Sequence, residues 1–456
     1  MSNDPILFWN DVALEMHRRD FAFDAGTDGK PQAPQQGGPT RTSRALALVH
    51  IVMYDAWNGA NATGKNYLGQ HAGAPALPAL PAGASPDSAV GGAAATALRA
   101  LFSRQAGYVE SRMAEFCAAL PAAITTVQRL DGLRYGTAVA NTLLAFRAGD
   151  GSAASDDFTP GFMPGNHRPD PANPGQGFLG PKWGEVRPFC IPPFAPGGNT
   201  AGYLPAPPEF TSPTYKKHFD EVRDHGAKGR GKRTAAEEET GLYWAYDGAK
   251  NIGTPPRLYN QIVRVIAQDK GNTVAQNARL FALVNAGMAD AGIVAWRAKY
   301  EHNLWRPSIG VREDDAGTGP TGLGTGSAAI GDPSWQPYGA PRSNEPGKGS
   351  FTPNFPAYPS GHATFGTAVF NLVAAFYGQP AASISFHFVS DELNGRTLGD
   401  DGQPRTCIGR TYTLDTAINE NLESRVWLGV HWRFDGDNGK KAGETVAQQV
   451  FAAGFP

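Results

Sequence analysis

Apolar residues recur at i, i+3, i+4 and i+7 through most of the patterned stretches of this chain, the period of a helix with one buried face. The repeat runs over residues 6–16, 44–57, 93–101, 108–120, 123–146, 235–246, 258–267, 274–305, 362–377, 415–430 and 443–452. The strict alternation that marks strands is sparse. Between the helical stretches lie Gly/Pro-rich connections at 73–85, 149–213 and 312–359, which take many of the 56 glycines and 37 prolines. Connections this long in a folded chain are functional or pinned across a surface. The pattern predicts an all-α protein with long loops.

One helical segment repeats. RALALVHIVMYDA (44–56) aligns without gaps to RLFALVNAGMADA (279–291), with Arg, Ala, Leu, Val, Met, Asp and Ala in register. The echo points to two related helical bundles. The chemical residues described below have no counterpart in the first half, so one bundle is expected to carry the chemistry.

Composition narrows the function. Of the 456 residues, 41% are hydrophobic and 18% charged, which excludes a disordered chain. The net charge of −2 supplies no basic field for nucleic acid or acidic membranes, and the basic run at 228–233 reads as a solvated loop. Cys117, Cys190 and Cys407 are scattered and odd in number, so free thiols are expected rather than a disulfide framework. The N-terminal MSNDPILFWNDVALEMHRRD lacks the positive and apolar regions of a secretory signal. The best membrane-span candidate, 281–296, is broken by Asn285 and Asp290. These features predict a soluble protein without membrane or nucleic-acid partners, cytoplasmic or exported without a signal peptide; they leave its oligomeric state open.

Three elements carry chemistry. In KYEHNLWRP, Lys299 and Arg306 stand two helical turns apart and reach from one face, and Pro307 ends the helix. In PAYPSGH, a chain break at Pro359 starts a helix, aiming the Ser360 hydroxyl and the Gly361 N–H outward, where helix N-termini bind oxyanions. Gly361 lets backbone approach a ligand closely, and His362 stands beside it as a proton donor. In SRVWLGVHWRFD, Asp435 lies four residues after His431 and can hold one imidazole N–H, turning the other nitrogen to a ligand, while Arg425 adds a planar fork for oxygens. Three cations, a hydroxyl, a glycine N–H and two histidines describe a site for a tetrahedral oxyanion, vanadate or phosphate. One histidine stands at an apex and the other serves the opposite apex. No acid cluster points to magnesium or calcium.

At these residues the chain resembles the vanadium-dependent haloperoxidases, which share a site with the type-2 phosphatidic acid phosphatases and bacterial acid phosphatases. The pattern K-x6-RP, PSGH, SR-x5-H-x3-D is complete here. FPAYPSGHATFG, RLFALVNAGMADAG, SDELNG, LGVHWRFD, IGTPPRLYNQIV and LFWNDVALE resemble the fungal chloroperoxidase branch, so the likeness covers most of the chain. Between 390 and 424 the chain looks shorter than those enzymes, and its Gly-rich loop after Arg312 differs.

The resemblance implies two packed four-helix bundles, which we place at 1–230 (structural) and 231–456 (bearing the site). It implies that Lys299, Arg306 and Arg425 hold vanadate oxygens, that Ser360 and Gly361 hydrogen-bond it, and that His431 coordinates vanadium. It further implies that His362 is the acid–base and that Lys299 polarises the activated oxygen. Trp296 and Phe355 would line the halide side, and Asp247 would pair with Arg425. The implied activity is oxidation of halide (bromide, with chloride as a further candidate) by hydrogen peroxide to hypohalous acid, which attacks a small organic acceptor. The alternative is a soluble acid phosphatase of the same superfamily with His431 as nucleophile. Chain length favours the haloperoxidase, because the soluble phosphatases are generally much shorter.

Overall fold

The computed structural model describes residues 4–22, 32–71, 73–195, 197–229 and 231–455. Arg230, in the basic run and at the expected boundary between bundles, lies outside the described residues, as do residues 1–3. Thirteen α-helices occur among the described residues. In the first half these are α1 (Pro5–Asp20), α2 (Gly38–Ala60), α3 (Pro86–Leu101), α4 (Ala106–Ala119), α5 (Thr126–Arg147) and α6 (Pro213–His225). Then come α7 (Ala235–Tyr243), α8 (Pro255–Asp269), α9 (Val274–His302), α10 (Pro307–Glu313), α11 (Gly361–Tyr377), α12 (Leu414–Trp427) and α13 (Arg433–Ala453). Strands make two short antiparallel pairs, β1 (Ala340–Pro341) with β2 (Ser350–Phe351) and β3 (Ser385–Val389) with β4 (Gly409–Thr413). The all-α class expected from the pattern is the class observed.

Helix starts follow local chemistry. Thr125, Thr234 and Thr273 close capping boxes with Gln128, Glu237 and Gln276, each satisfying two end groups reciprocally. Several boundaries differ from the expected ones, two of them near the site. The long helix α9 stops at His302 instead of 305, because Asn303 takes the left-handed conformation (φ 46°). The helix expected at 443–452 begins at Arg433. Gly436, Gly439 and Gly443 weaken its apolar repeat because they sit in close contacts: a Cβ at Gly439 would stand 2.8 Å from the Ser360 carbonyl oxygen. The seven-residue α10 has too few turns to show a period, and α6, which buries Tyr215, His218, Phe219 and Val222 along one face, was not anticipated.

The core is continuous from Ile6 to Phe455. Helix α2 packs on α3, α5 and α9, and α9 packs in turn on α11 and α13. By length and composition α9 could cross a membrane, but 94% of its apolar window is buried inside the protein, so it is a core helix. The sequence echo falls on α2 and α9, which face each other. Their matching aspartates do matching work. Asp55 accepts the N–H groups of Tyr67 and Leu68, and Asp290 those of Phe189, Cys190 and Ile191. The matched His50 and Asn285 meet through Asn10 and Asn260 in one buried amide network. Both helices therefore tie a loop to the core with a buried carboxylate, whose own burial is tolerated because backbone N–H groups surround it.

Candidate active site

Lys299, Arg306, Ser360, His362, Arg425, His431 and Asp435 are all buried, from 0% to 7% exposed. They come from the ends of α9, α11, α12 and α13, not from the faces of regular helices. Lys299 lies in the last turn of α9 and Arg306 beyond it, as the residue before α10. The expected two-turn helical spacing is therefore corrected: the left-handed turn at Asn303, not helix periodicity, carries Arg306 to the site. His431 and Asp435 are likewise not partners along a helix. His431 sits in the connection between α12 and α13, and Asp435 caps α13. One carboxylate oxygen of Asp435 accepts both the His431 Nδ1–H at 2.9 Å and the Trp432 N–H at 3.0 Å.

Hydrogen bonds assign both imidazole tautomers. A guanidinium only donates, so the 3.0 Å bond from Arg306 Nη1 makes His431 Nε2 an acceptor and leaves the proton on Nδ1, facing Asp435. The Nε2 lone pair is thus turned toward the cationic groups. His362 Nε2 lies 2.6 Å from the Ala245 carbonyl oxygen, which only accepts, so it bears the proton and Nδ1 is the basic atom. Burial, reinforced by the neighbouring cations, holds both rings well below the usual histidine pKa. Both are neutral.

Ser360 is the N-cap of α11, its Oγ accepting the Ala363 N–H at 3.4 Å, so the hydroxyl proton is still available to a ligand. Arg425 donates through Nη2 to Asp247 Oδ1 at 2.7 Å. Arg306 spends Nε on the Phe355 carbonyl (2.9 Å) and Nη1 on that of Val430 (2.7 Å) as well as on His431. Lys299 donates to the carbonyls of Pro356, Ala357 and Pro359 at 2.8, 3.0 and 2.5 Å. All three of its N–H bonds are engaged, so contact with an oxyanion exchanges one of them. These carbonyls, with that of Ala245, were invisible to sequence reasoning, since a backbone oxygen has no signature in residue type.

The donor set fits a tetrahedral oxyanion. Arg306 Nη2 and Arg425 Nε and Nη1 are buried N–H donors without a partner among the described residues, and each such group costs about 1–3 kcal/mol unless something accepts from it. Three buried basic side chains, Lys299, Arg306 and Arg425, cluster here with the carboxyl groups of Asp247 and Asp435. Burial and repulsion by Arg306 pull Lys299 well below its ordinary pKa, and burial pulls Arg306 down to about 9. An anion among them reverses both effects. A Cβ on Gly361 would meet nothing closer than Trp296 at 3.5 Å, so packing does not require glycine there, and the open side faces the cavity.

That cavity measures about 590 Å³ and is lined by His362, Arg425 and His431 together with Trp296, Phe355 and Phe365. Trp296 and Phe355 pack with ring centroids 4.7 Å apart, and Lys299 Nζ and Arg306 Cζ lie 5.0 and 4.9 Å from the Phe355 ring. Gly38, Arg41 and Leu179, from the half expected to be structural, also line this cavity, and the Leu179 carbonyl anchors the Trp296 indole N–H at 3.1 Å. A larger cleft of about 780 Å³ holds none of the expected site residues.

These features make a mostly helical protein with a buried cluster of cations and histidines beside an aromatic-walled cavity. The model of the vanadium chloroperoxidase N-terminal domain matches residues 1–177, and that of the second helical-bundle domain of the same family matches residues 279–454. Vanadium chloroperoxidase of Curvularia inaequalis is 32% identical, over 94% of this chain and 78% of its own. A bacterial vanadium-dependent iodoperoxidase superposes with TM-score 0.72 at 21% identity, over 99% of this chain and 97% of its own. The holo form of a bacterial vanadium-dependent chloroperoxidase gives 0.61 at 17% identity, over 95% and 97%. The chain belongs to the vanadium haloperoxidase family. It is an oxidoreductase of the haloperoxidase class.

Proposed function

We propose that the cavity holds vanadate and that the enzyme uses hydrogen peroxide to oxidise halide to hypohalous acid. The observation that carries this reading is that Arg306 and Arg425, whose buried N–H groups Nη2, Nε and Nη1 find no partner among the described residues, act on a neutral histidine whose Nε2 lone pair accepts from Arg306. Arg306, Arg425 and Lys299 would hold the oxygens, Ser360 and Gly361 would complete the cradle, and His431 Nε2 would ligate vanadium. When bound, vanadate supplies a Lewis-acid centre that activates peroxide while keeping its oxidation state. Asp435 keeps the His431 proton on Nδ1, so the Nε2 lone pair, which accepts from Arg306 Nη1, would exchange that bond for the vanadium. His362, its Nε2–H held by the Ala245 carbonyl, presents Nδ1 to take a proton from peroxide and later return it. Lys299 concentrates positive charge where the transferred oxygen becomes electrophilic, and Trp296 and Phe355 keep that region dry, so each charge acts at lower dielectric. Phosphate fits the same donor set. Bromide is the expected halide and chloride a harder one, with a small organic acceptor consuming the product. We further propose that the chain divides near residue 230 into two related four-helix bundles, supported by the matched roles of Asp55 and Asp290.

The test is bromination of a dye by purified protein, bromide and peroxide, with and without orthovanadate. Turnover that appears only with orthovanadate supports the reading. Hydrolysis of phosphate monoesters without any vanadate-dependent bromination would instead establish the phosphatase.

A further inference from the structure

The cavity is much larger than a halide or peroxide requires. A water molecule occupies about 30 Å³ in the liquid, while this cavity offers about 590 Å³, within the range of sites that enclose an organic ligand. Its charged lining is mostly compensated. Arg41 pairs with Asp156 at 3.1 Å, Arg425 with Asp247 at 2.7 Å, and Glu345 with Lys348 at 3.3 Å. Arg342 differs: among the described residues no carboxylate lies within ion-pair distance of it. The half-buried guanidinium stacks over the Phe351 ring at 4.9 Å and donates only Nη2, to Asn173 Oδ1 at 3.1 Å. Arg342 follows β1 and Phe351 lies in β2, so the small hairpin fixes both on the cavity wall. A planar cation on an aromatic ring, with donors to spare, recognises a carboxylate on a flat substituent.

We infer that this cavity binds the organic acceptor itself, and that the acceptor is a phenol-type aromatic carrying a carboxylate, held by Arg342 against Phe351. The inference rests on the haloperoxidase reading above. The carboxylate lies on Arg342 and the ring extends toward His362 and the Trp296–Phe355 wall. An electron pair from the ring carbon forms the carbon–halogen bond as the O–X bond of hypohalous acid breaks. The departing hydroxide takes the ring proton and leaves as water.

Calorimetric binding to the vanadate-loaded enzyme, without peroxide, compares 4-hydroxybenzoate with its methyl ester. The acid is expected to bind at least tenfold more tightly. Arg342→Gln removes most of that preference, and Arg342→Lys restores part of it. Bromination of 3-hydroxybenzoate, whose free ortho and para ring positions are inequivalent, should give with the wild type a product isomer ratio distinct from that of added hypobromite. Equal affinity for acid and ester, equal weakening of both by Arg342→Gln, or an isomer ratio matching free hypobromite would overturn the inference. Triiodide formation from iodide and peroxide, with no organic acceptor, reads the haloperoxidase chemistry separately. Its absence beside selective acid binding would sink that reading and leave this site standing, whereas its presence beside unselective binding would sink this inference alone.

Discussion

Asp435→Asn separates the site's chemistry from its stability. Asp435 is fully buried, and its Oδ2 receives the His431 Nδ1–H at 2.9 Å and the Trp432 N–H at 3.0 Å. Asparagine keeps the size and one acceptor but removes the charge. A hydrogen bond to a charged group contributes about 1.5–3 kcal/mol and a neutral one about 1, so the change costs the imidazole roughly 0.5–2 kcal/mol of support. That corresponds to about 2- to 30-fold weaker vanadate binding, overlapping the range seen when a metal-ligating histidine loses its carboxylate. Stability moves the other way. Burial pushes the Asp435 carboxyl up from 3.8 to about 7. A carboxyl whose pKa is higher folded than unfolded makes folding less favourable as pH rises between those values, and the penalty is complete above the upper one. At pH 8 the anion-free Asp435→Asn protein should therefore keep or raise its Tm. Vanadate titration by calorimetry, beside thermal melts of the anion-free protein, measures both. An unchanged vanadate affinity, or a Tm that falls along with it, would refute the reasoning.

Other expectations follow from the same geometry. His431→Ala should abolish vanadate retention, whereas His362→Ala should retain vanadate and lose most turnover; equal loss of binding in both would contradict their separate roles. Phosphate should compete with vanadate, slowing reactivation of the vanadate-free protein, and independent binding would rule out one shared pocket. In NMR titrations of the anion-free protein both site histidines should stay neutral to well below pH 6.5, and added phosphate should raise both pKa values, since it offsets the cations that help depress them. Phe355→His should shift the bromide-to-chloride turnover ratio toward bromide, because a polar ring replaces the aromatic wall beside Lys299; an unchanged ratio removes Phe355 from halide selection.

The residues that bear charge were legible because their chemistry is in their side chains and their neighbours punctuate the chain. Pro307 and the Pro-Ser-Gly break mark ends of helices, and ends of helices are where the site proved to lie. The reasons for convergence were less legible. Lys299 and Arg306 meet through a left-handed turn at Asn303, a backbone state that residue spacing does not encode. The carbonyls of Ala245, Pro356, Ala357 and Pro359 orient His362 and Lys299, yet any residue supplies a carbonyl. The start of α13 was hidden because Gly436, Gly439 and Gly443 interrupt its apolar repeat. Gly439 and Gly443 instead admit the backbone of α11, and thereby set where Ser360 sits. The contribution of Gly38, Arg41 and Leu179 to the cavity depends on long-range packing with no local trace.

The central claim is that one oxyanion sits between the guanidinium groups and His431. The most direct measurement is a crystal structure of the vanadate-loaded protein with an anomalous map at the vanadium edge. A single vanadium peak is expected within coordination distance of His431 Nε2, with Arg306 Nη2 and Arg425 Nη1 donating to its oxygens. A peak bound instead to His362, or placed away from His431 with those guanidinium donors still unpartnered, would contradict it.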